Sequence, residues 1–187
     1  MVVVDKAMDL VSLVHMEFLI SALFIIQSFG ISLGTGSSTL AILNFFHAIA
    51  DGTIDDTERD FMGITYIVLR VAMGVILVST LLLSFYGFST VGESWFTGER
   101  AAQAVLIGVL FLNAFLMTMR IMPSTFGPAI QASSWYSLGF ILAFTKIGYE
   151  INFLIFLFAY ATFIFFAISL INATMAYLKE KRLASEV

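Results

Sequence analysis

Residues 61–86 of this chain, FMGITYIVLRVAMGVILVSTLLLSFY, decide its fold. They are almost all apolar, and about 20 such residues are enough for an α-helix to cross the hydrocarbon core of a bilayer. One charged residue, Arg70, interrupts the stretch near its middle. A charge at that depth costs about 2.5–3.5 kcal/mol on insertion scales. We therefore expect the fold to give Arg70 a partner or a route to water.

The composition of the whole chain also indicates a membrane protein. Of its 187 residues, 60% are hydrophobic and 12% are charged, whereas soluble domains average about 25% charged residues. The apolar residues form continuous runs rather than the alternating pattern of a transmembrane β-barrel. We predict an all-α fold, a polytopic helical bundle of about five transmembrane helices that forms one domain over residues 1–187.

Charge and cysteine content exclude several classes of function. The net charge is −4 and the only basic cluster is KEKR at residues 179–182, so the sequence does not support binding to nucleic acid. Cysteine is absent, which excludes disulfides, a thiolate nucleophile and a cysteine metal site. We interpret the N-terminal segment as retained, because it lacks the short apolar core and cleavage site of a signal peptide.

The first apolar region, residues 10–50, is about twice as long as one membrane crossing needs. Three glycines within residues 30–38, GISLGTGSS, predict that its helix is broken there. Three arrangements are compatible with this region. Residues 1–20 could lie in the membrane interface before a span, which is the arrangement we favour because polar side chains line that segment. Alternatively, one long helix could be tilted and kinked, or a full span could precede a half-helix at residues 39–50.

The most acidic interval, residues 51–60, reads DGTIDDTERD. It is similar to the second half of an EF-hand calcium loop, in which Asp51, Asp55 and Glu58 would supply the oxygen ligands. Histidine and isoleucine occupy the two preceding ligand positions. We therefore interpret the interval as a tight turn into an N-capped helix and predict no metal site.

Three further apolar runs, at residues 101–119, 131–149 and 151–178, complete five predicted spans, and residues 179–187 form a polar C-terminal tail. Five spans divide the flanking basic residues unequally between the two sides of the membrane. By the positive-inside rule the side with more of them is cytoplasmic. We predict a multi-pass protein of the cell membrane with a cytoplasmic C-terminus. The larger group is Arg59, Arg120, Lys179, Lys181 and Arg182, and the smaller group is Lys6, Arg100 and Lys146.

Seven polar residues within the apolar runs are candidates for a ligand or ion pathway. Small hydroxyl residues beside glycines usually permit close helix packing, but they can also present oxygen atoms to an ion. Arg70 and Thr39 are separated from the acidic interval by similar numbers of residues, so they could share a depth in the bilayer. The candidates are Arg70, Ser37, Ser38, Thr39, Asn113, Ser133 and Ser134.

Residues 30–58 resemble an uncharacterised family of prokaryotic multi-span membrane proteins, as does SWYS at residues 134–137. More distantly, QSFGISLGTG at residues 27–36 is similar to the H-x-x-G-x-x-x-x-G-G helix of copper-resistance-D-type and membrane protoporphyrinogen-oxidase-type proteins. This resemblance implies a similar helical bundle. In the oxidase-type family the histidine is a haem ligand, whereas this chain has Gln27, which cannot replace an imidazole. We therefore predict no cofactor and no bound haem.

Together these features favour a transporter or channel for a small ion or solute. The alternative is a non-catalytic subunit of a larger membrane complex, whose polar groups would anchor neighbouring subunits. A haem-linked membrane oxidoreductase is the third hypothesis, and we do not favour an enzymatic role. The expected partners are the lipid bilayer and either further copies of the chain or the other subunits of a complex.

Overall fold

The computed structural model describes the backbone of residues 2–51, 55–123 and 126–185 and the side chains of residues 16–48, 55–123 and 126–184. These residues form five α-helices and contain no β-strand, so the predicted all-α class is confirmed. A short 3₁₀ helix, Gly92–Trp95, joins the second helix to the third. The helices are α1 (Val2–Asp51), α2 (Asp56–Val91), α3 (Gly98–Thr118), α4 (Phe126–Lys146) and α5 (Phe153–Ser185).

The predicted break in the first helix is wrong, because α1 is a single helix from Val2 to Asp51. Two of its three glycines, Gly30 and Gly34, serve close packing instead. An added Cβ at Gly30 would lie 2.9 Å from side-chain atoms of Val75 and Ile76, and one at Gly34 would overlap the ring of Trp135. The packing of α1 against these neighbours compensates for the weak helix propensity of glycine. An interfacial position for residues 1–20 stays a prediction.

Four segments among the described residues are long and apolar enough to cross a membrane: Met16–Ala48, Asp56–Trp95, Gly98–Thr118 and Phe153–Ala184. The chain is therefore an integral membrane protein. Large apolar side chains are exposed all along these helices, as expected of surfaces that face lipid. Residues 179–185, predicted as a polar tail, continue α5.

The remaining helix, α4, is less apolar because it lies inside the bundle. Ten of its 21 residues are buried, and it packs against α1, α3 and α5. It runs antiparallel to α3: Asn113 Nδ2 donates to the carbonyl of Gly127 at 2.9 Å near one end, and Thr145 Oγ1 donates to Glu99 at 3.3 Å near the other. Since both helices have 21 residues, α4 lies beside α3 along its whole length.

The pairing of α1 with α2 is also antiparallel. Gln27 Nε2 donates to Thr80 Oγ1 at 2.7 Å, and His47 Nε2 lies 3.6 Å from Glu58 Oε1 near the connection between the two helices. One end of the bundle, which we call the acidic end, therefore carries the start of α2 and the connection from α3 to α4. The opposite end carries the connections from α2 to α3 and from α4 to α5, and we call it the Trp95 end.

An apolar core fills the middle of the bundle between these ends. Trp135 of α4 is completely buried at its centre, beside Gly34 of α1. Around it lie buried side chains from every helix: Ile31, Leu69, Ala72, Met73, Ile76, Ala102, Leu106, Ile107, Leu110, Leu138, Ile141 and Tyr160.

Candidate functional site

Arg70 lies on α2, and its side chain is exposed at the mouth of a cavity. No hydrogen bond or ion pair joins it to any residue that the structure describes. Side chains on an α-helix lean toward its N-terminus, which for α2 is the acidic end. The guanidinium can therefore reach toward the interface at that end, which lowers the cost of a charge in the membrane.

The cavity at Arg70 has a volume of about 310 Å³ and lies between α1, α2, α3 and α4. Thr118 and Pro128 line it, at the end of α3 and the start of α4, so it occupies the half of the bundle nearer the acidic end. Among the residues that the structure describes, no acidic side chain lines it. The described lining is therefore electropositive, with the one permanent charge of Arg70. Its polar lining residues are Ser38, Tyr66, Arg70, Thr118 and Gln131.

Gln131, Tyr66 and Thr118 are the polar residues of this lining that are not among the predicted candidates, and Gln131 is the buried one. Its Oε1 accepts a hydrogen bond of 3.0 Å from Asn113 Nδ2, while its Nε2 lies 3.8 Å from the sulfur of Met73, a weak acceptor. Both amide side chains are buried. Asn113 thus stands behind the cavity wall and orients the amide of Gln131, whose nitrogen donates to the weak acceptor Met73.

The side chains of Ser37, Ser38 and Thr39, the three adjacent hydroxyl residues of α1, point in different directions. Ser38 lines the cavity with Arg70. Ser37 Oγ donates to the carbonyl of Leu33 at 2.7 Å, and Thr39 Oγ1 lies 2.6 Å from the hydroxyl of Tyr136 on α4. Of this group only Ser38 shares the site of Arg70.

Ser133 and Ser134 lie away from Arg70. Ser134 Oγ lies 2.6 Å from the Tyr160 hydroxyl and joins α4 to α5. Ser133 lines a separate, largely apolar cavity of about 230 Å³ between α1, α4 and α5, together with Thr39. The Ser134 hydroxyl therefore contributes to helix packing, whereas the Ser133 hydroxyl is buried without a hydrogen-bond partner among the described residues.

The calcium-like interval begins α2 with a capping box. Asp55 Oδ1 accepts from the Glu58 amide at 2.6 Å, and Glu58 Oε2 accepts from the Asp55 amide at 3.1 Å. This reciprocal pair satisfies two free amides at the helix start, and it confirms the predicted N-capped helix. The side chain of Asp51 and residues 52–54 lie outside the described residues. In the described part of the chain, no three acidic or histidine side chains are grouped to hold a metal ion.

The fold and this cavity define a class: an integral membrane helical bundle with a permanently charged arginine at a cavity between its helices. No protein-family model, curated protein or solved structure matches the chain. The resemblance of residues 30–58 and 134–137 and the more distant one of residues 27–36 stay predictions. Gln27 joins α1 to α2 through a hydrogen bond to Thr80.

Proposed function

We propose that this protein is a transporter or channel for a small anionic solute, which binds in the cavity at Arg70. The observation that supports this proposal is an arginine with no described partner at an electropositive cavity inside a membrane protein. Arginine stays protonated under all ordinary conditions, so its charge requires compensation by water or by an anion. A bound anion would supply that compensation in the bilayer, where few other groups can.

The dimensions and polarity of the cavity suit a solute of a few heavy atoms. Its volume of about 310 Å³ corresponds to roughly ten water molecules at about 30 Å³ each. The guanidinium of Arg70 offers a planar set of donors that matches a carboxylate or an oxyanion. The Ser38 hydroxyl and the Gln131 amide add neutral donors to the same cavity. Such a mixture of one fixed charge and a few neutral donors on apolar walls is typical of small-molecule sites.

The packed core around Trp135 separates this cavity from the Trp95 end of the bundle. For a transporter, that core would be the barrier that has to rearrange before the solute can leave at the opposite side. The conformation described here would then be one in which the solute has access from the half of the bundle nearer the acidic end.

Anion binding and anion flux test the proposal. In proteoliposomes loaded with a small anion such as chloride, nitrate or formate, Arg70→Leu should reduce flux at least tenfold, while the melting temperature of the purified variant stays near that of the wild type. Arg70→Lys should recover part of the flux because it restores the charge without the planar donors. Arg59→Leu is the matched control, since Arg59 lies on the same helix, exposed and paired with Asp56 at 3.2 Å.

A second measurement separates binding from transport. An anion that binds the folded state should raise the melting temperature with increasing concentration, and this rise should disappear in Arg70→Leu. Flux equal to that of protein-free vesicles for every anion, or full flux in Arg70→Leu, would contradict the transport proposal.

The exposure of Arg70 also supports a second candidate, a subunit of a larger membrane complex. In that case a carboxylate of another polypeptide would pair with the guanidinium at the mouth of the cavity. Native mass measurement of protein extracted in mild detergent would then reveal a bound polypeptide that Arg70→Leu releases and Arg59→Leu retains. A transporter of this single chain should purify without one.

A further inference from the structure

A second cavity, whose lining includes charged side chains, lies at the Trp95 end of the bundle, away from Arg70. Its volume is about 290 Å³, and residues of α1, α3 and α4 line it. Two cationic side chains, Arg100 and Lys146, and one carboxylate, Glu99, are among them. Glu99 accepts a hydrogen bond of 3.3 Å from Thr145. The described lining of the cavity therefore carries a net positive charge.

Arg100 is held in place by aromatic rings rather than by a carboxylate. Its Cζ lies 4.4 Å from the centre of the Trp95 ring and 5.4 Å from that of Phe24. Its Nη1 donates at 3.4 Å to Gln103, and no acidic side chain that the structure describes lies within 4.0 Å of it. Cation–π contacts leave the edge of the guanidinium accessible, and apart from the bond to Gln103 its side-chain N–H groups have no hydrogen-bond partner among the described residues. These donors are positioned for an anionic ligand.

An apolar groove continues from this cavity along the outside of α1. Its volume is about 380 Å³, and Phe24, Ser28 and Lys146 line both it and the cavity. The groove extends along α1 to Ser32. The eight-residue separation of Phe24 and Ser32 along α1 corresponds to a groove length of about 12 Å. This length runs from the Trp95 end toward the middle of the bundle. The groove therefore begins beside a cation near the membrane interface and continues into the level of the acyl chains.

We propose that this cavity and groove together bind one anionic phospholipid. The phosphodiester would lie against Arg100 and Lys146, and one acyl chain would occupy the groove. A free phosphate ion would use only the cationic part of the site, whereas a phospholipid matches both the charge and the adjoining apolar surface. The net positive charge of the cavity favours an anionic headgroup such as phosphatidylglycerol over a zwitterionic one.

Native mass spectrometry of the purified protein with added phosphatidylglycerol tests this assignment. We expect one retained lipid per chain, and Lys146→Gln should reduce its apparent affinity about fivefold, the effect of one basic residue near a membrane surface. Lys146 is exposed, so its replacement leaves the packing of the bundle intact, unlike that of Arg100. Lys181→Gln is the charge-matched control, because Lys181 is exposed near the end of α5.

A separate substitution tests the groove. Ser32 is exposed, and Ser32→Trp would fill the groove without entering the core. It should weaken phosphatidylglycerol binding while leaving any stabilisation by inorganic phosphate unchanged. Equal affinity for phosphatidylcholine would contradict the anionic assignment. The phospholipid site would be overturned if inorganic phosphate stabilised the protein as strongly as the lipid does and Ser32→Trp bound the lipid as the wild type does.

Discussion

Substitution of Gly34 by alanine should destabilise the protein through contact with a single side chain. The α-carbon of Gly34 faces the ring of Trp135, and an added methyl group would overlap three carbons of that ring. Trp135 is completely buried, so its ring has no free space into which to move. To accommodate the methyl group, either α1 must separate from α4 or the ring must leave its rotamer.

The magnitude of this effect follows from two opposing terms. Overpacking of a well-filled core costs about 1–3 kcal/mol, while replacement of a helical glycine by alanine contributes about 0.8–1.0 kcal/mol of helix propensity. Gly36 provides the control, since it lies in the same helix two residues later and an added Cβ would meet no atom within 4 Å. Gly36→Ala should therefore change stability only through the higher helix propensity of alanine. The difference between the two variants therefore isolates the steric cost, about 1–3 kcal/mol.

Thermal unfolding of the purified variants in one detergent measures this difference. At about 2–4 °C per kcal/mol for a chain of this length, Gly34→Ala should melt roughly 2–12 °C below Gly36→Ala. In the background of Gly34→Ala, the smaller ring of Trp135→Phe should recover part of the loss, as a positive coupling in a double-mutant cycle. Equal melting temperatures for the two alanine variants would refute the close contact of α1 with α4.

Two other predictions concern the topology and the buried amide pair. The chain has no native cysteine, so single cysteines can be introduced for labelling with an impermeant maleimide in oriented vesicles. Cysteines at Thr57 and Ala184 should react from the same side, and one at Glu150 should react from the opposite side. Labelling of Thr57 and Ala184 from opposite sides would contradict an antiparallel bundle of five crossings. Asn113→Leu should lower the free energy of unfolding by about 1–3 kcal/mol, because it leaves the buried Oε1 of Gln131 without its donor. A melting temperature equal to that of the wild type would contradict the role of Asn113 as this donor.

The helices were predictable because an apolar run long enough to cross a membrane can adopt few structures other than an α-helix. Without water, a backbone segment must satisfy its own hydrogen bonds, and a helix does so locally. The continuity of α1 through its glycines was not predictable, since it depends on Trp135, a residue 101 positions away that packs at Gly34. Local propensity favours a break there, and tertiary packing, which a single sequence does not display, overrides it.

The candidate site was predictable only where a residue is unusual by itself. Arg70 stands out because any charge within an apolar span requires compensation. By contrast, successive helical residues point about 100° apart, so adjacency of Ser37, Ser38 and Thr39 could not place them in one site. Gln131 was missed because it lies near the start of a helix that already contains several polar residues. Its spacing of three from Ser134 and six from Ser137 forms a polar stripe that was a usable signal.

The polarity of α4 has a consequence for how this protein enters the membrane during synthesis. Each of the other four helices contains a window apolar enough for independent insertion, whereas α4 does not. Its buried Gln131 and Ser134 side chains lose water on entry and reach partners on neighbouring helices, Asn113 and Tyr160. Insertion of α4 should therefore be conditional on α1 and α3, which precede it, and a ribosome-bound chain lacking α3 should leave α4 outside the bilayer.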